Sequence, residues 1–327
     1  MEILAGALRA TGARTAALAY DRCGLRGRAR ISIATLLTVF VAGAGAGHSS
    51  AEVINVPWTE LLPPIPTAKN PQPRPVANCR VAKPKCVRVT IQRLRDLRNR
   101  LGCDHRAVFA TTYLELTKQI RDDMRTGLVR RKMIDPRYLY TEDGLFANFY
   151  FKVIRAWSRG EPIPEAWRIA FAAAESGDKA AVQDMLLGIN AHVQNDMPFV
   201  LASLGLRTKD GRSRKPDHDF TNGTLNRGYP RVVAAVRERF DPSMDLSNST
   251  LIPFDDLAGL ELTRAWREVV WRNAERLLNA RDDAARARVV RCIEDYAALN
   301  ARLIAAAGLP GYAATRDAYC AAGPSGG

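Results

Sequence analysis

Apolar side chains recur at three- and four-residue steps from residue 86 onwards, which is the spacing that an amphipathic α-helix requires. The first such stretch forms a helical face from Val87, Ile91, Leu94, Leu97 and Leu101. The two-residue alternation of a half-buried β-strand is sustained nowhere in the chain. The pattern therefore predicts an all-α fold, with one helical domain over residues 86–308 and a C-terminal tail over residues 309–327.

The apolar pattern, the capping residues and the positions of glycine and proline together predict about eight helices. They cover approximately residues 86–103, 104–124, 145–157, 164–177, 178–204, 219–240, 260–280 and 282–307. Pro198 predicts a kink in the fifth helix, and Gly228 with Pro230 predicts an interruption of the sixth. A segment of about 220 residues with this pattern suits a single helical bundle.

Residues 1–51 have the pattern of a secretory signal peptide with its leader. Residues 31–51 contain no charged side chain, follow three arginines, and end in the small residues Ser49-Ser50-Ala51. A positive stretch, an apolar core and a small-x-small site are what a signal peptidase recognises. The alternative is a retained membrane anchor, because about 20 apolar residues can span a bilayer. The length of the leader also allows translation to start at Leu25.

Residues 52–85 are predicted to be a Pro-rich basic linker, because eight of the 18 prolines lie between Pro57 and Pro84. The net charge of the whole chain is +14, and +9 of it lies in residues 69–106. The remainder of the helical region is almost neutral, which argues against a core that binds nucleic acid. We expect residues 69–106 to adhere to anionic cell-envelope polymers or lipids. The alternative is a solvated face that aids solubility.

The cysteines are compatible with export to an oxidising compartment. Cys23 precedes the signal core, and the mature chain would retain Cys79, Cys86, Cys103, Cys292 and Cys320. A helix over residues 86–103 would hold its two terminal cysteines about 25 Å apart, which forbids a bridge between them. Separately, we expect the local pairs Cys79–Cys86 and Cys292–Cys320, with one free thiol.

The polar segment from Asn190 to Pro198 is the first candidate site. His192 and Asp196 are four residues apart, so they share one helical face that points into the bundle. Such a pair can ligate a cation or act as a hydrogen-bonded acid–base pair. The alternative is a buried structural network in which Asp196 orients His192. Asn190 and Asn195 are supporting polar residues in each case.

A second cluster contains His218, Asp219 and Asn222, directly after a basic loop. If it docks against the first cluster, His192, Asp196 and Asp219 complete a three-ligand divalent metal site, for which zinc is the preferred ion. His218 would then transfer a proton, and Asn222 would support the site. The alternative is that Asp219 is an N-cap.

A third cluster lies at the start of the second predicted helix. His105 is the other candidate for proton transfer, and Asp104, Arg106 and Tyr113 are candidate supporting residues. The alternative for the first part of this cluster is a helix cap followed by an exposed ion pair, because such pairs are common on protein surfaces.

Several motifs occur together in the helical region. They are Asp104-x-Arg106-x-x-Phe109-x-x-x-Tyr113-x-x-x-Thr117, Pro164-x-Ala166-Trp167, Gly188-Ile-Asn190-Ala191-His192-x-x-x-Asp196-x-Pro198 and Asp219-Phe220. Over residues 86–308 the chain resembles an uncharacterised domain-of-unknown-function family of high-GC Gram-positive bacteria. That resemblance implies an all-helical domain and supplies no reaction. The His192-x-x-x-Asp196 pair is also similar to that of zinc-dependent phospholipase C and P1-type nucleases, although three mature histidines are too few for their three-zinc cluster.

Two functions are compatible with these features. The first is a secreted, metal-assisted hydrolase that acts on a phosphoester, lipid or glycan of the cell envelope. The second is a non-catalytic envelope protein that binds a lipid or a partner in a helical cavity. Gly-x-Ser-x-Gly, P-loop and Gly-x-Gly-x-x-Gly motifs are absent, so α/β-hydrolase and nucleotide-binding functions have no support.

Overall fold

The computed structural model describes residues 58–62, 64–65, 67, 83–244, 256–306 and 311–323. These residues form α-helices and one π-helix, and they contain no β-strand. The predicted all-α fold class is confirmed. The predicted signal peptide and the Cys79–Cys86 pair lie outside the described residues, in whole or in part.

The helices are given in chain order. They are α1 (Trp58–Leu61), α2 (Lys85–Leu101), α3 (Arg106–Arg125), α4 (Leu128–Lys132), α5 (Pro136–Ser158), α6 (Glu165–Ser176), α7 (Ala181–Asn190), the π-helix (Ala191–Asp196), α8 (Met197–Leu204), α9 (Lys215–Arg239), α10 (Asp256–Asn279), α11 (Asp283–Ala306) and α12 (Tyr312–Ala322). Each of the eight predicted helices has a counterpart. The short helices α1 and α4 and the C-terminal α12 were not predicted.

Two helices begin earlier than the apolar pattern indicates. Helix α5 begins at Pro136, and α9 begins at Lys215 with Pro216 in its first turn. A proline there costs no hydrogen bond, because the first N–H groups of a helix have no intrahelical partner. The predicted interruption of α9 is wrong, because the helix continues through Pro230. It packs closely on α3: a Cβ atom on Gly228 would lie 3.0 Å from Leu116.

The centre of the bundle is the continuous rod formed by α7, the π-helix and α8. It contacts α3, α5, α6, α10 and α11, so it is enclosed on most sides. A helix that is apolar around most of its circumference is expected to be buried in this way. The predicted irregularity at Pro198 takes the form of the π-helical turn that precedes it. That turn absorbs the clash that a proline ring makes with the preceding turn of a regular helix.

One disulfide overturns a predicted pairing. Cys103 bonds Cys320, with a Cα–Cα distance of 5.8 Å, so the predicted Cys292–Cys320 pair is wrong. The two cysteines are 217 residues apart, and only the packing of α12 against the start of α3 brings them together. Cys86 and Cys292 are also disulfide-bonded, and no described cysteine is the expected free thiol.

Part of the predicted linker packs against α10. The Trp58 Nε1 donates to Glu261 at 3.1 Å, and the Ile65 amide donates to Glu275 at 3.0 Å. The Leu62 carbonyl accepts a hydrogen bond from Arg272 Nε at 2.8 Å. This segment is therefore held by specific contacts. Within the described part of the chain, none of the helices is both long enough and apolar enough to span a bilayer.

Candidate functional site

A cavity of about 160 Å³ lies beside the central rod, between α3, α5, α9 and α10. Its walls are mainly apolar, with contributions from Leu116, Ile120, Leu139, Met185, Leu186, Ile189, Val193, Leu225 and Val232. Buried polar side chains also line it, among them Tyr113, Glu142, Asp143, His192 and Arg267. Binding pockets for small molecules commonly combine apolar walls with a few placed polar groups.

His192 and Asp196 meet as the sequence predicted, and both lie on the π-helical turn. The His192 Nδ1 and Asp196 Oδ2 are 2.9 Å apart, and both side chains are almost fully buried. Asp196 also accepts hydrogen bonds from Trp167 Nε1 at 3.0 Å and Asn195 Nδ2 at 2.8 Å. A carboxylate can accept only, so the Nδ1 atom of His192 carries the proton and Nε2 is the basic atom.

The basic nitrogen of His192 is left without a hydrogen-bond partner among the described residues. Burial lowers the pKa of His192, although the hydrogen bond to Asp196 opposes this, and the imidazole is therefore neutral at pH 7. Buried polar atoms are normally paired. The unpaired Nε2 is itself buried in the wall, so its capacity to accept a hydrogen bond goes unused there.

Aromatic rings surround this imidazole. It stacks on Phe146, with ring centroids 3.4 Å apart, and the Tyr113 ring is 4.9 Å away. Phe109 approaches edge-on at 5.8 Å. Its position requires Gly188, because a Cβ atom there would lie 2.2 Å from the Phe109 ring. The hydroxyl of Tyr113 is buried and has no partner within the described chain, so it is a second unpaired polar atom at the cavity wall.

Two acidic residues of α5, Glu142 and Asp143, line the same cavity, and no local sequence pattern predicted them. Burial raises the pKa of Glu142 to about 7, and it raises the pKa of Asp143 to about 7 as well. Their sequence signal is weak but visible: both fall on the apolar face of α5, between Leu139 and Phe146. Charged residues are seldom buried without a partner, so acidic residues on an apolar helical face are candidates for a site.

His218 and Asn222 hold a buried arginine at the cavity wall. The Nε2 of His218 donates to the Arg267 carbonyl oxygen at 3.0 Å, and Nδ1 accepts from Arg267 Nη2 at 3.2 Å. Asn222 Oδ1 accepts from Arg267 Nε at 2.7 Å. Burial lowers the pKa of His218 well below 6.5, so its imidazole is neutral. Both ring nitrogens of this histidine are therefore occupied by Arg267.

The predicted three-ligand metal site does not form in the described structure. Asp219 lies on the outer side of α9, where it pairs with Lys215 Nζ at 2.7 Å. His192 and Asp196 bond each other, and Asp196 already accepts from three donors. Among the described residues, no group of three or more His, Cys, Asp or Glu side chains is placed to hold a metal ion. The three side chains therefore do not converge on one point among the described residues, and zinc binding stays a prediction.

Apart from Tyr113, the third predicted cluster lies at a different place, next to the Cys103–Cys320 disulfide. The His105 Nδ1 is 2.5 Å from Asp184 Oδ2, and its Nε2 is 3.1 Å from Asp317 Oδ1 on α12. Burial alone would lower the pKa of His105, but the hydrogen bond and charge of Asp184 raise it. His105 is therefore a clamp between α7 and α12 and does not line the cavity.

The remaining predicted residues have structural contacts. Asp104 Oδ1 accepts from the Arg106 backbone N at 2.8 Å and from Arg106 Nε at 2.9 Å, so it caps α3 and pairs with Arg106. Asn190 Nδ2 donates to the Ala297 carbonyl at 2.8 Å and thereby joins the central rod to α11. Of the predicted residues, only His192 and Tyr113 line the cavity.

A family model described as "Family of unknown function (DUF5995)" matches residues 87–307. The chain belongs to this family. The DUF5995 region extends from α2 to the end of α11 and contains the cavity, His192, Asp196 and Arg267, whereas α12 lies beyond it. No curated protein and no solved structure matches the chain.

Proposed function

We propose that the DUF5995 domain of this chain binds a small apolar molecule in the cavity beside the central rod. The observation that carries the proposal is the cavity itself, with a volume of about 160 Å³ and mainly apolar walls. A dry cavity of about 150 Å³ in another protein core is large enough to bind benzene. Burial of an apolar molecule contributes about 25 cal/mol per Å² of apolar surface removed from water.

The polar atoms of the wall support binding of a molecule with one polar end. His192 Nε2 and the Tyr113 hydroxyl lack partners among the described residues. Leaving buried polar groups unpaired costs about 1–3 kcal/mol each. A ligand that supplies a donor to His192 or an acceptor to Tyr113 recovers part of that cost.

Binding is tested with the apolar fluorescent probe N-phenyl-1-naphthylamine and the purified full chain. We expect saturable binding of one probe per chain. Ile189→Trp fills the cavity wall and is expected to abolish binding without loss of the folded state, which thermal unfolding verifies. The matched control is Leu303→Trp, which places the same side chain at an exposed position on α11 outside the cavity. Linear, unsaturable fluorescence, or equal binding by both variants, contradicts the proposal.

A second candidate function is hydrolysis of an ester held in the cavity. It is supported by the neutral imidazole of His192, whose ring Asp196 orients and whose Nε2 is unpaired. The Nε2 atom would accept a proton from the attacking water, as a general base does. The assay is release of 4-nitrophenol from 4-nitrophenyl butyrate, and His192→Phe is expected to abolish it. Activity that EDTA removes and zinc restores would favour metal-assisted hydrolysis instead; no release above that of buffer excludes this candidate.

We also propose that the chain is exported and associates with the cell envelope. The Cys103–Cys320 disulfide supports export, because structural disulfides persist in oxidising compartments. Four basic side chains at the start and end of α2 are exposed: Lys83, Lys85, Arg88 and Arg100. Replacing all four with serine should release the protein from envelope fractions at a lower salt concentration. N-terminal sequencing of the envelope-bound protein is expected to begin at Glu52. If the variant with four serines is retained in envelope fractions as strongly as the wild type, these basic side chains are only a solvated face that aids solubility.

A further inference from the structure

Arg267 on α10 is an unusual residue in the cavity wall. It is only 3% exposed, and Asn222 and His218 accept hydrogen bonds from its Nε and Nη2 atoms. Within the described chain its Nη1 has no hydrogen-bond partner, and no carboxylate forms an ion pair with it. A fully charged guanidinium is therefore held rigidly at the cavity with one nitrogen unused.

The other buried arginines of the described residues are paired differently. Arg214 pairs with Asp135 at 3.0 Å, and Arg316 pairs with Asp317 at 2.8 Å. Arg272 pairs with Glu275 at 3.0 Å and also contacts Glu268. Each of these three cations has a carboxylate partner within the protein. Arg267 is the exception, and it is also the one that lines the cavity.

A buried charge without a counter-charge is strongly unfavourable, so proteins normally pair such groups. Glu142 lines the same cavity and influences Arg267 electrostatically, but it makes no direct ion pair with it. The cation is therefore accessible to an acidic group that enters with a ligand. His218 and Asn222 act as positioning residues, because they hold the guanidinium by hydrogen bonds and neither of them lines the cavity.

We propose that Arg267 binds the carboxylate of an amphipathic ligand whose apolar part fills the cavity, as a fatty-acid-like molecule would. This inference rests on the proposed binding function of the cavity. A carboxylate fits better than a phosphate monoester, because Glu142 and Asp143 line the same wall and repel a second negative charge more strongly. The charge-assisted hydrogen bond to Nη1 would supply specificity for the acid over the alcohol.

Glu142 should modulate this binding. Titratable and charged groups act on it from several elements: Tyr113 on α3, Tyr138 and Asp143 on α5, Asp217 on α9, Arg214 just before α9, and Arg267 on α10. Burial raises the pKa of Glu142 to about 7, so it is mainly neutral at pH 6 and mainly ionised at pH 8. The ionised form competes with the ligand for Arg267 and repels an incoming carboxylate. Removal of Glu142 should therefore strengthen binding at pH 8 and have little effect at pH 6.

Isothermal titration calorimetry of the full chain with decanoate and with decanol tests the proposal. At pH 6 the wild-type chain should bind decanoate about tenfold more tightly than decanol. The reason is that the free energy of a hydrogen bond to a charged group corresponds to about a tenfold change in affinity or more. Arg267→Met should remove this preference. Arg288→Met removes an exposed charge on α11 and should change neither affinity. Glu142→Gln should strengthen decanoate binding several-fold at pH 8.

The possible outcomes distinguish the assignment of a carboxylate to Arg267 from the proposed binding of apolar molecules in the cavity. If decanol binds but decanoate is not preferred, and neither Arg267→Met nor Glu142→Gln changes the ratio, the carboxylate assignment is wrong and the apolar cavity remains. If neither molecule binds although the apolar probe does, the assignment to a decyl-chain acid is wrong. If nothing binds, the proposed function is wrong as well. Should Arg267→Met fail to fold, the wild-type ratio and the gain with Glu142→Gln decide the result.

Discussion

The described part of the molecule contains two buried His–Asp pairs, and they differ in what surrounds them. His192 has one carboxylate, Asp196, which Trp167 and Asn195 also bind, and its second ring nitrogen is unpaired among the described residues. His105 has a carboxylate at each ring nitrogen: Asp184 at 2.5 Å and Asp317 at 3.1 Å. The first pair presents a neutral base to a cavity, whereas the second joins three elements of the fold.

The electrostatic consequence is opposite in the two pairs. Burial lowers the pKa of His192, because one carboxylate does not offset the loss of solvation. At His105 the effect of burial is overcome by Asp184, with a further contribution from Asp317, and the pKa is raised. The same residue types therefore give a lowered imidazole pKa in one place and a raised one in the other. The number of facing carboxylates decides between the two roles.

The largest expected effect is the loss of stability when Asp196 of the buried pair is replaced, compared with replacement of Asp219 in a surface pair. Asp196→Ala removes the acceptor of His192, Trp167 and Asn195, all of which are buried. We expect a loss of about 3–5 kcal/mol in the free energy of unfolding, measured by urea denaturation. Asp219→Ala breaks only the pair with Lys215 on an exposed face and should cost less than about 0.5 kcal/mol. Equal losses in the two variants would mean that Asp196 is not a structural acceptor.

The second largest expected effect is the loss of stability when the disulfide beside His105 is removed. Replacing both Cys103 and Cys320 with serine opens a link between residues 217 positions apart. We expect a loss of about 2–4 kcal/mol, mainly through the greater freedom of the unfolded chain. Amide hydrogen exchange should show that α12 loses protection while the central rod keeps it. Loss of protection in both α12 and the central rod would contradict this expectation, because it would mean that α12 unfolds together with the core.

The smallest effect is the pH dependence of the stability that Asp317 gives to the His105 pair. A raised folded-state pKa stabilises the protein below the unfolded value of 6.5, and this contribution is lost as pH rises through the folded value. Asp317 is half exposed, so Asp317→Asn should cost only about 0.5 kcal/mol at pH 5.5 and less at pH 9. NMR titration should show the pKa of His105 falling and that of His192 unchanged. A larger loss at pH 9 than at pH 5.5 contradicts the raised pKa of His105.

Much of the secondary structure is predictable because it depends on neighbours in the chain. The three- and four-residue spacing of apolar residues identified every long helix up to α11, and Gly177 ended α6 as expected. The exceptions have local causes. The buried acids Glu142 and Asp143 interrupt the apolar pattern of α5, and Pro230 does not break α9. Tertiary packing overrode the weaker local signal in both cases.

The candidate site was predictable only where its residues are close in sequence. The His192–Asp196 pair follows from a four-residue step on a helix, and it forms in the structure. The expected third ligand, Asp219, depends on how two helices face each other, and there the prediction fails. Glu142, Asp143 and Arg267 were missed, because burial beside a cavity is not encoded in any local period.

The sequence by itself determined the helical class, the positions of most helices and the one local histidine–aspartate pair. These follow from interactions over three or four residues, which a single helix turn brings together. Only the tertiary structure decided which carboxylates face His105, which cysteine bonds Cys320, and that Arg267 lies at a cavity without a carboxylate in direct contact. The partners in these contacts lie 79, 217 and 49 residues apart, and only packing of separate helices brings such groups within bonding distance.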